Sequence, residues 1–215
     1  MTRTLYVYEH CPFCVKARMI FGFKNIPVKI KYLLNNDEAG PIDMIGQKML
    51  PILDEDGRFM GESLDIIAHI DGMGEKVLAG EPNPAIADWI SSISKPLYKL
   101  MLPRVACAPL PEFATTAARA YFVKKKEPSA GQFCLLLEDG TDFLAALNSQ
   151  LHVLAPLIRS EAAVNGVLSM DDIHLFAALH SLSVIKGVIY PPEVERYRQT
   201  MARLSGVPLM DDYAA

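Results

Sequence analysis

Two cysteines separated by two residues, Cys11-Pro12-Phe13-Cys14, are the positions in this sequence best suited to chemistry. A cysteine attacks, or binds a metal, as the thiolate. The preceding run Leu5-Tyr6-Val7-Tyr8 is aromatic and β-branched and reads as a short strand. A helix-like segment follows from about Cys14 to Lys24. A helix start presents unpaired backbone N–H groups and a partial positive charge. Both stabilise a thiolate, and this location can bring a cysteine pKa from about 8.5 to between roughly 3.5 and 7.5. Cys11, before the first turn, is therefore expected to be the exposed nucleophile. Cys14, one turn in, is expected to be more buried and to act as the resolving thiol. The segment carries Lys16 and Arg18 and no acid through Lys24. These cations either serve the thiolate or are solvated surface charges.

A metal role needs more ligands than the motif offers. A structural zinc site takes about four, and a lone pair of cysteines supplies two. His10 could be a third, but nothing supplies a fourth. Cys107 and Cys134 are isolated and are expected to be buried small hydrophobes. His174 and His180 are six residues apart, a poor fit to one helix face, and His69 and His152 stand alone. All four read as structural or surface residues, and no metal is expected.

The elements that must hold the cysteines occupy residues 1–71. A second strand is predicted over roughly Val28 to Leu34, so strand–helix–strand makes a βαβ unit with parallel strands. After a polar stretch with a short helix at best come two more strands, Leu50 to Leu53 and Arg58 to Met60. Asp54-Glu55-Asp56-Gly57 forms the turn between them. Ser63 is the expected N-cap of a helix carrying Ile66, Ile67 and Ile70. Residues 72–83, with Gly72, Gly74, Gly80 and Pro82, read as a linker.

Residues 84–215 give almost no strand signal. Asn83-Pro84 is an N-cap followed by a first-turn proline, and Ile86, Trp89, Ile90, Ile93, Leu97 and Leu100 recur at helical spacing. Pro96 is expected to kink that helix. Thr141 opens another helix, with Leu144, Leu147, Leu151, Leu154 and Ile158 on one face. Ile173, Phe176, Leu179 and Leu182 form a third pattern, and Val194, Tyr197, Met201 and Leu204 a fourth. The predicted fold class is α/β plus all-α, a βαβ-ββα domain followed by a helical bundle.

Composition narrows the function classes. In 215 residues, 51% are apolar and 21% charged, which supports a sizeable core and argues against disorder. A net charge of −4 argues against nucleic acid. The basic run Lys124-Lys125-Lys126 is followed by Glu127 and reads as a solvated helix end. No stretch approaches the roughly 18 uncharged apolar residues of a membrane span, and no membrane partner is expected. Nor does the N-terminus resemble a signal peptide. With one close cysteine pair, the chain reads as a soluble protein of a reducing cytoplasm.

Beyond these readings the chain resembles a known family. Cys-Pro-Phe-Cys is similar to the Cys-Pro-Tyr-Cys site of dithiol glutaredoxins, with Phe13 keeping the aromatic wall and losing the hydroxyl. Met49-Leu50-Pro51-Ile52 resembles the segment before the third strand of thioredoxin-like folds. That resemblance implies a cis Pro51 and a Leu50 backbone that pairs with the cysteinyl part of bound glutathione. Glu62-Ser63 resembles the acidic residue–serine pair of glutathione transferases. There the serine and the helix start hold the γ-glutamyl carboxylate and the acid assists with the amino group. Ser169-Met170-Asp171-Asp172 resembles the capping box that starts a buried helix in those transferases.

The combination resembles bacterial two-domain glutaredoxins of glutathione-transferase-like architecture. Segments such as Lys16-Ala17-Arg18-Met19-Ile20-Phe21-Gly22 and Ala163-Val164-Asn165-Gly166 belong to the match, which spans essentially the full length. It implies a thioredoxin-like first domain and a thiol–disulfide oxidoreductase that uses glutathione as cosubstrate. Its implied redox-active disulfide is Cys11–Cys14, and its implied glutathione-binding residues are Pro12, Phe13, Leu50, Pro51, Glu62 and Ser63. The implied partners are glutathione and glutathionylated or disulfide-containing proteins. A conjugating glutathione transferase and a non-enzymatic membrane-associating protein of the same architecture are the competing readings.

Overall fold

The computed structural model describes residues 2–215. Strand β1 (Arg3–Val7) leads into helix α1 (Pro12–Phe23) and returns as β2 (Lys29–Tyr32). β2 pairs parallel with β1, Thr4 opposite Lys29 and Val7 opposite Tyr32. The expected βαβ unit is present. β2 is shorter than predicted, and its exposure alternates as an edge strand's does.

Helix α2 (Ala39–Ile45) fills the polar stretch and ends at Gly46, whose φ of 78° suits a glycine at a helix C-terminus. Strands β3 (Ile52–Glu55) and β4 (Arg58–Met60) form a hairpin around Asp56-Gly57. Both turn residues have positive φ, 51° and 88°, as a two-residue hairpin turn requires. β3 starts two residues later than predicted because Pro51 has no N–H to give the ladder. It pairs antiparallel with β1, giving the order β2-β1-β3-β4. Helix α3 (Ser63–Asp71) follows. Its N-cap is Glu62 rather than Ser63, which is the first helical residue and makes no capping bond.

Beyond residue 83 every regular element is helical: α4 (Pro84–Cys107), α5 (Thr116–Ala130), α6 (Phe133–Glu138), α7 (Thr141–Leu154), α8 (Met170–Leu182) and α9 (Pro192–Ser205). The Asn83 side chain accepts from the Ala85 amide at 3.1 Å, as an N-cap should. α4 runs through both Pro96 and Pro103 without ending. α5 and α6 were not legible in the sequence. α5 buries only Ala118, Phe122 and Ala130 of its fifteen residues, so it shows no apolar stripe. α7 stops at Leu154, leaving Ile158 outside it, and Leu204 on α9 is 47% exposed.

The capping box at the start of α8 is present. Asp172 accepts from the Ser169 amide at 2.8 Å and the Ser169 hydroxyl at 3.1 Å. The same carboxylate takes the Val164 amide and the Tyr197 hydroxyl, so one buried residue ties three segments together. Helix α1, the one that carries the cysteines, packs on α3 of its own half and on α8 and α9 of the other. The frame holding Cys11 is thus built by both halves.

Candidate active site

Cys11 is the N-cap of α1, with extended backbone, and Pro12 takes the first helical position. Proline there costs nothing, since that N–H lacks a helical partner anyway. The Cys11 carbonyl accepts from the Val15 amide at 3.0 Å, which anchors the first turn. Cys11 is partly exposed and Cys14 is fully buried, and both are free thiols.

The two thiols are driven in opposite directions. The Cys14 thiol donates to the Cys11 sulfur, and this bond is the main cause that lowers the Cys11 pKa from 9.0 to about 6. Burial opposes it; the charge of His10 and the backbone dipoles of Cys14 and Phe13 reinforce it. Cys14 is pushed well above its usual range, first by burial and then by its bond to Cys11. The Tyr8 amide points at the Cys14 sulfur from 3.4 Å and fixes its place. The arrangement therefore supplies one thiolate and one reserve thiol at neutral pH.

The two cations of α1 divide. Arg18 is buried and spends its charge on Glu9, with Nη1 2.8 Å from Oε1. The Tyr32 hydroxyl donates to the other oxygen of Glu9. Lys16 lies near the thiolate, its ammonium 5.2 Å from the centre of the Phe13 ring, and burial lowers its pKa while Cys11 raises it. Of the two cations, Lys16 and not Arg18 is the one whose charge interacts with Cys11.

A cleft of about 200 Å³ opens at Cys11. On one side lie Cys11, Pro12, Phe13 and Leu50; facing them are Tyr98, Met101 and Leu102 of α4 and Phe122 and Lys126 of α5. Lys126 is thus a cleft residue inside α5, where the sequence suggested only a solvated helix end. Phe13 is 52% exposed and forms the open rim. Of the expected glutathione-site residues, the cleft brings together Pro12, Phe13 and Leu50 with Cys11. Pro51 is buried behind Leu50, and the Leu50–Pro51 peptide bond is cis. Glu62 and Ser63 sit at the start of α3, outside the lining of this cleft; Glu62 is exposed and Ser63 buried.

Two expectations about isolated residues change. Cys107 and Cys134 are both exposed, not buried, because α4 ends at Cys107 and α6 turns Cys134 outward. His180 is buried as a structural residue, and burial together with Arg18 lowers its pKa to about 4. His69 pairs with Glu55 at 2.6 Å. Among the described residues no group of three His, Cys, Asp or Glu side chains could hold a metal ion.

One residue beside the cysteines gave no signal in the sequence. Glu112 lies in a 3₁₀ turn (Pro111–Phe113) between α4 and α5, fully buried. Its Oε1 accepts from the His10 amide at 3.1 Å and stands 2.5 Å from His10 Nδ1. No spacing or motif links residue 112 to residue 10.

Residues 5–74 match the model of the glutathione S-transferase N-terminal domain, and residues 85–214 match that of the glutaredoxin 2 C-terminal domain. Glutaredoxin 2 of Escherichia coli K12 is 45% identical over 212 residues, covering 98% of this chain and 99% of that one. The chain belongs to the glutaredoxin 2 family. A solved member, glutaredoxin 2 from Salmonella typhimurium in complex with glutathione, superposes with a TM-score of 0.97 at 45% identity. It covers 100% of this chain and 99% of its own. Glutathione transferase GSTFuA3 from Phanerochaete chrysosporium shares the fold at 16% identity and a TM-score of 0.70, covering 95% and 97%. The thioredoxin-like domain and the transferase-like helical domain expected from the sequence are both those of the glutaredoxin 2 family.

Among the described residues no helix is long and apolar enough to cross a membrane.

Proposed function

We propose that this member of the glutaredoxin 2 family is a glutathione-dependent thiol–disulfide oxidoreductase, with Cys11 as nucleophile and Cys14 as resolving thiol. The observation that carries the reading is the asymmetry of the pair. Cys11 is partly exposed with a pKa lowered to about 6, and Cys14 is fully buried with its pKa raised. A moderately acidic thiol combines a large thiolate fraction with retained nucleophilicity.

For a glutathione mixed disulfide, the Cys11 thiolate attacks the glutathione sulfur and the target leaves as its thiolate. A second glutathione thiolate then attacks that same sulfur, releasing glutathione disulfide and the Cys11 thiolate. For a protein disulfide, the Cys11 thiolate attacks one sulfur and forms the mixed disulfide, freeing the other sulfur as a thiolate. Cys14 then gives up its proton and attacks the Cys11 sulfur, so the bond to the target breaks and its second thiolate leaves; two glutathiones reduce the resulting Cys11–Cys14 disulfide and depart as glutathione disulfide.

Glutathione is placed against Pro12, Phe13 and the Leu50 backbone, with Pro51 behind it. Glu62 and Ser63 take its γ-glutamyl end at the start of α3. The catalytic half is residues 1–71, joined by 72–83 to the helical half, 84–215. The targets are glutathionylated or disulfide-containing proteins, and a dithiol kept reduced by glutathione fits the cytoplasm.

The test is turnover of a small glutathione mixed disulfide with excess glutathione. Cys11→Ser should abolish it, and Cys14→Ser should keep it. Substantial turnover by Cys11→Ser, or conjugation of glutathione to an aromatic halide at a comparable rate, would overturn the reading in favour of a transferase.

A further inference from the structure

Glu112 presents a physical problem that the thiol chemistry above does not use. It is a carboxylate with no exposed surface, supplied by the helical half, and its Oε2 is buried with no hydrogen-bond partner. An ionised carboxylate is costly in such a place unless an opposite charge stands against it. Burial is the largest influence on its pKa and pushes it up, but the bond from His10, the charge of His10 and the backbone hydrogen bonds together outweigh burial and hold it below the usual carboxylate range. The group in contact with the carboxylate is His10, 2.5 Å from Oε1 through Nδ1. His10 is itself buried and immediately precedes the nucleophile.

The imidazole is held on every side. Tyr8 stacks on it at 5.9 Å and Phe113 at 5.3 Å, and Phe122 meets it edge-on at 5.1 Å. Phe113 and Phe122 come from the same half as Glu112. The Asn35 amide donates to the Glu112 carbonyl at 2.9 Å, so the 3₁₀ turn is pinned to the other half at a second point. Neither the ring nor the carboxylate has room to turn away.

We propose that Glu112 is a positioning residue for the thiol chemistry: its carboxylate fixes the His10 ring beside Cys11, so the helical half sets the reactivity of a nucleophile in the other half. The charge of His10 acts to lower the Cys11 pKa. Glu112 acts directly on Cys14, which it raises, helping to keep the resolving thiol protonated. The other titratable groups facing this cluster are Tyr8, Lys16, Tyr98 and Lys126 around Cys11, Asp37 near Tyr8, and His180 and the Arg18–Glu9 pair behind His10. Burial raises Tyr8, so it stays neutral, and Arg18 is already matched by Glu9.

This inference rests on Cys11 being the nucleophile, and its test is chosen to fail separately. Iodoacetamide alkylation of Cys11, followed by mass spectrometry of its peptide across pH, reads the thiolate without glutathione. Glu112→Gln and His10→Gln should each move the midpoint of the alkylation profile up by about one unit, a tenfold slower reaction well below the midpoint. Because Glu112 acts through His10, the double variant should move no further than His10→Gln alone. A Glu112→Gln midpoint that stays or falls, or shifts that add in the double variant, would overturn the proposal. Cys11→Ser turnover reports on the nucleophile itself, whatever these midpoints show.

Discussion

Gly22 on α1 faces the backbone of Ser205 at the end of α9 so closely that a Cβ at residue 22 would lie 1.9 Å from the Ser205 carbonyl oxygen. The obstacle is backbone, not the tip of a side chain that could swing aside. Gly22→Ala must therefore separate α1 from α9 or distort one of them. The expected cost is about 3 kcal/mol, the upper end for overpacking. In a chain of this length that lowers Tm by roughly 6–12 °C. Thermal denaturation checks it, and a Tm within a degree of wild type would show that the two helices part freely.

The reactivity of Cys11 should follow a single proton. With its pKa lowered to about 6, its alkylation rate should rise through that pH and level off above it, while Cys14 stays unmodified in the folded protein. The sign for stability follows from linkage. A folded pKa below the unfolded value near 9.0 gives stabilisation that is complete above pH 9 and is lost as pH falls through 6. Reduced wild type should therefore gain stability over Cys11→Ser between those pH values, with a slope approaching about 1.4 kcal/mol per unit. Urea denaturation at several pH values reads the difference directly; parallel curves would contradict the lowered pKa.

The Arg18–Glu9 pair lies buried beneath the cysteine loop. Arg18→Met leaves Glu9 without its cation, with only the Tyr32 hydroxyl on the far oxygen. Breaking one side of such a pair costs about 3–5 kcal/mol. Arg18→Met/Glu9→Gln should recover much of that loss, since it removes both charges. Equal stability of the single and double variants would show that Glu9 finds another partner.

Asp172→Ala removes one acceptor from four donors: the Ser169 amide and hydroxyl, the Val164 amide and the Tyr197 hydroxyl. Each buried donor left unpaired costs about 1–3 kcal/mol. A loss above about 3 kcal/mol is expected by chemical denaturation. A smaller loss would mean that water replaces the carboxylate.

Some of this was readable in the residues and some could not be. The strand before Cys11, the parallel return and the hairpin at Asp56-Gly57 follow from patterns a few residues long. So do Asn83-Pro84 and the Ser169/Asp172 box. Local chemistry writes such patterns, and the structure reproduces them. α5 escaped because its face is small and mostly polar, with Phe122 as its one large buried side chain. The residues leave Arg18 open between thiolate and solvent, and only the fold sets its partner Glu9, nine residues earlier, beside it. Residue type alone suggests that Cys107 and Cys134 are buried, but exposure depends on where their helices turn. Glu112 had the least chance of being found, because its role exists only once residues 10 and 112 meet in space.

The cleft at Cys11 has one wall from each half, Phe13 and Leu50 against Tyr98 and Phe122. Its width is therefore a property of the seam between the halves and not of either alone. Loosening that seam, by mild denaturant or by a side chain at Gly22, would therefore alter the space beside Cys11 and the Glu112–His10 contact together.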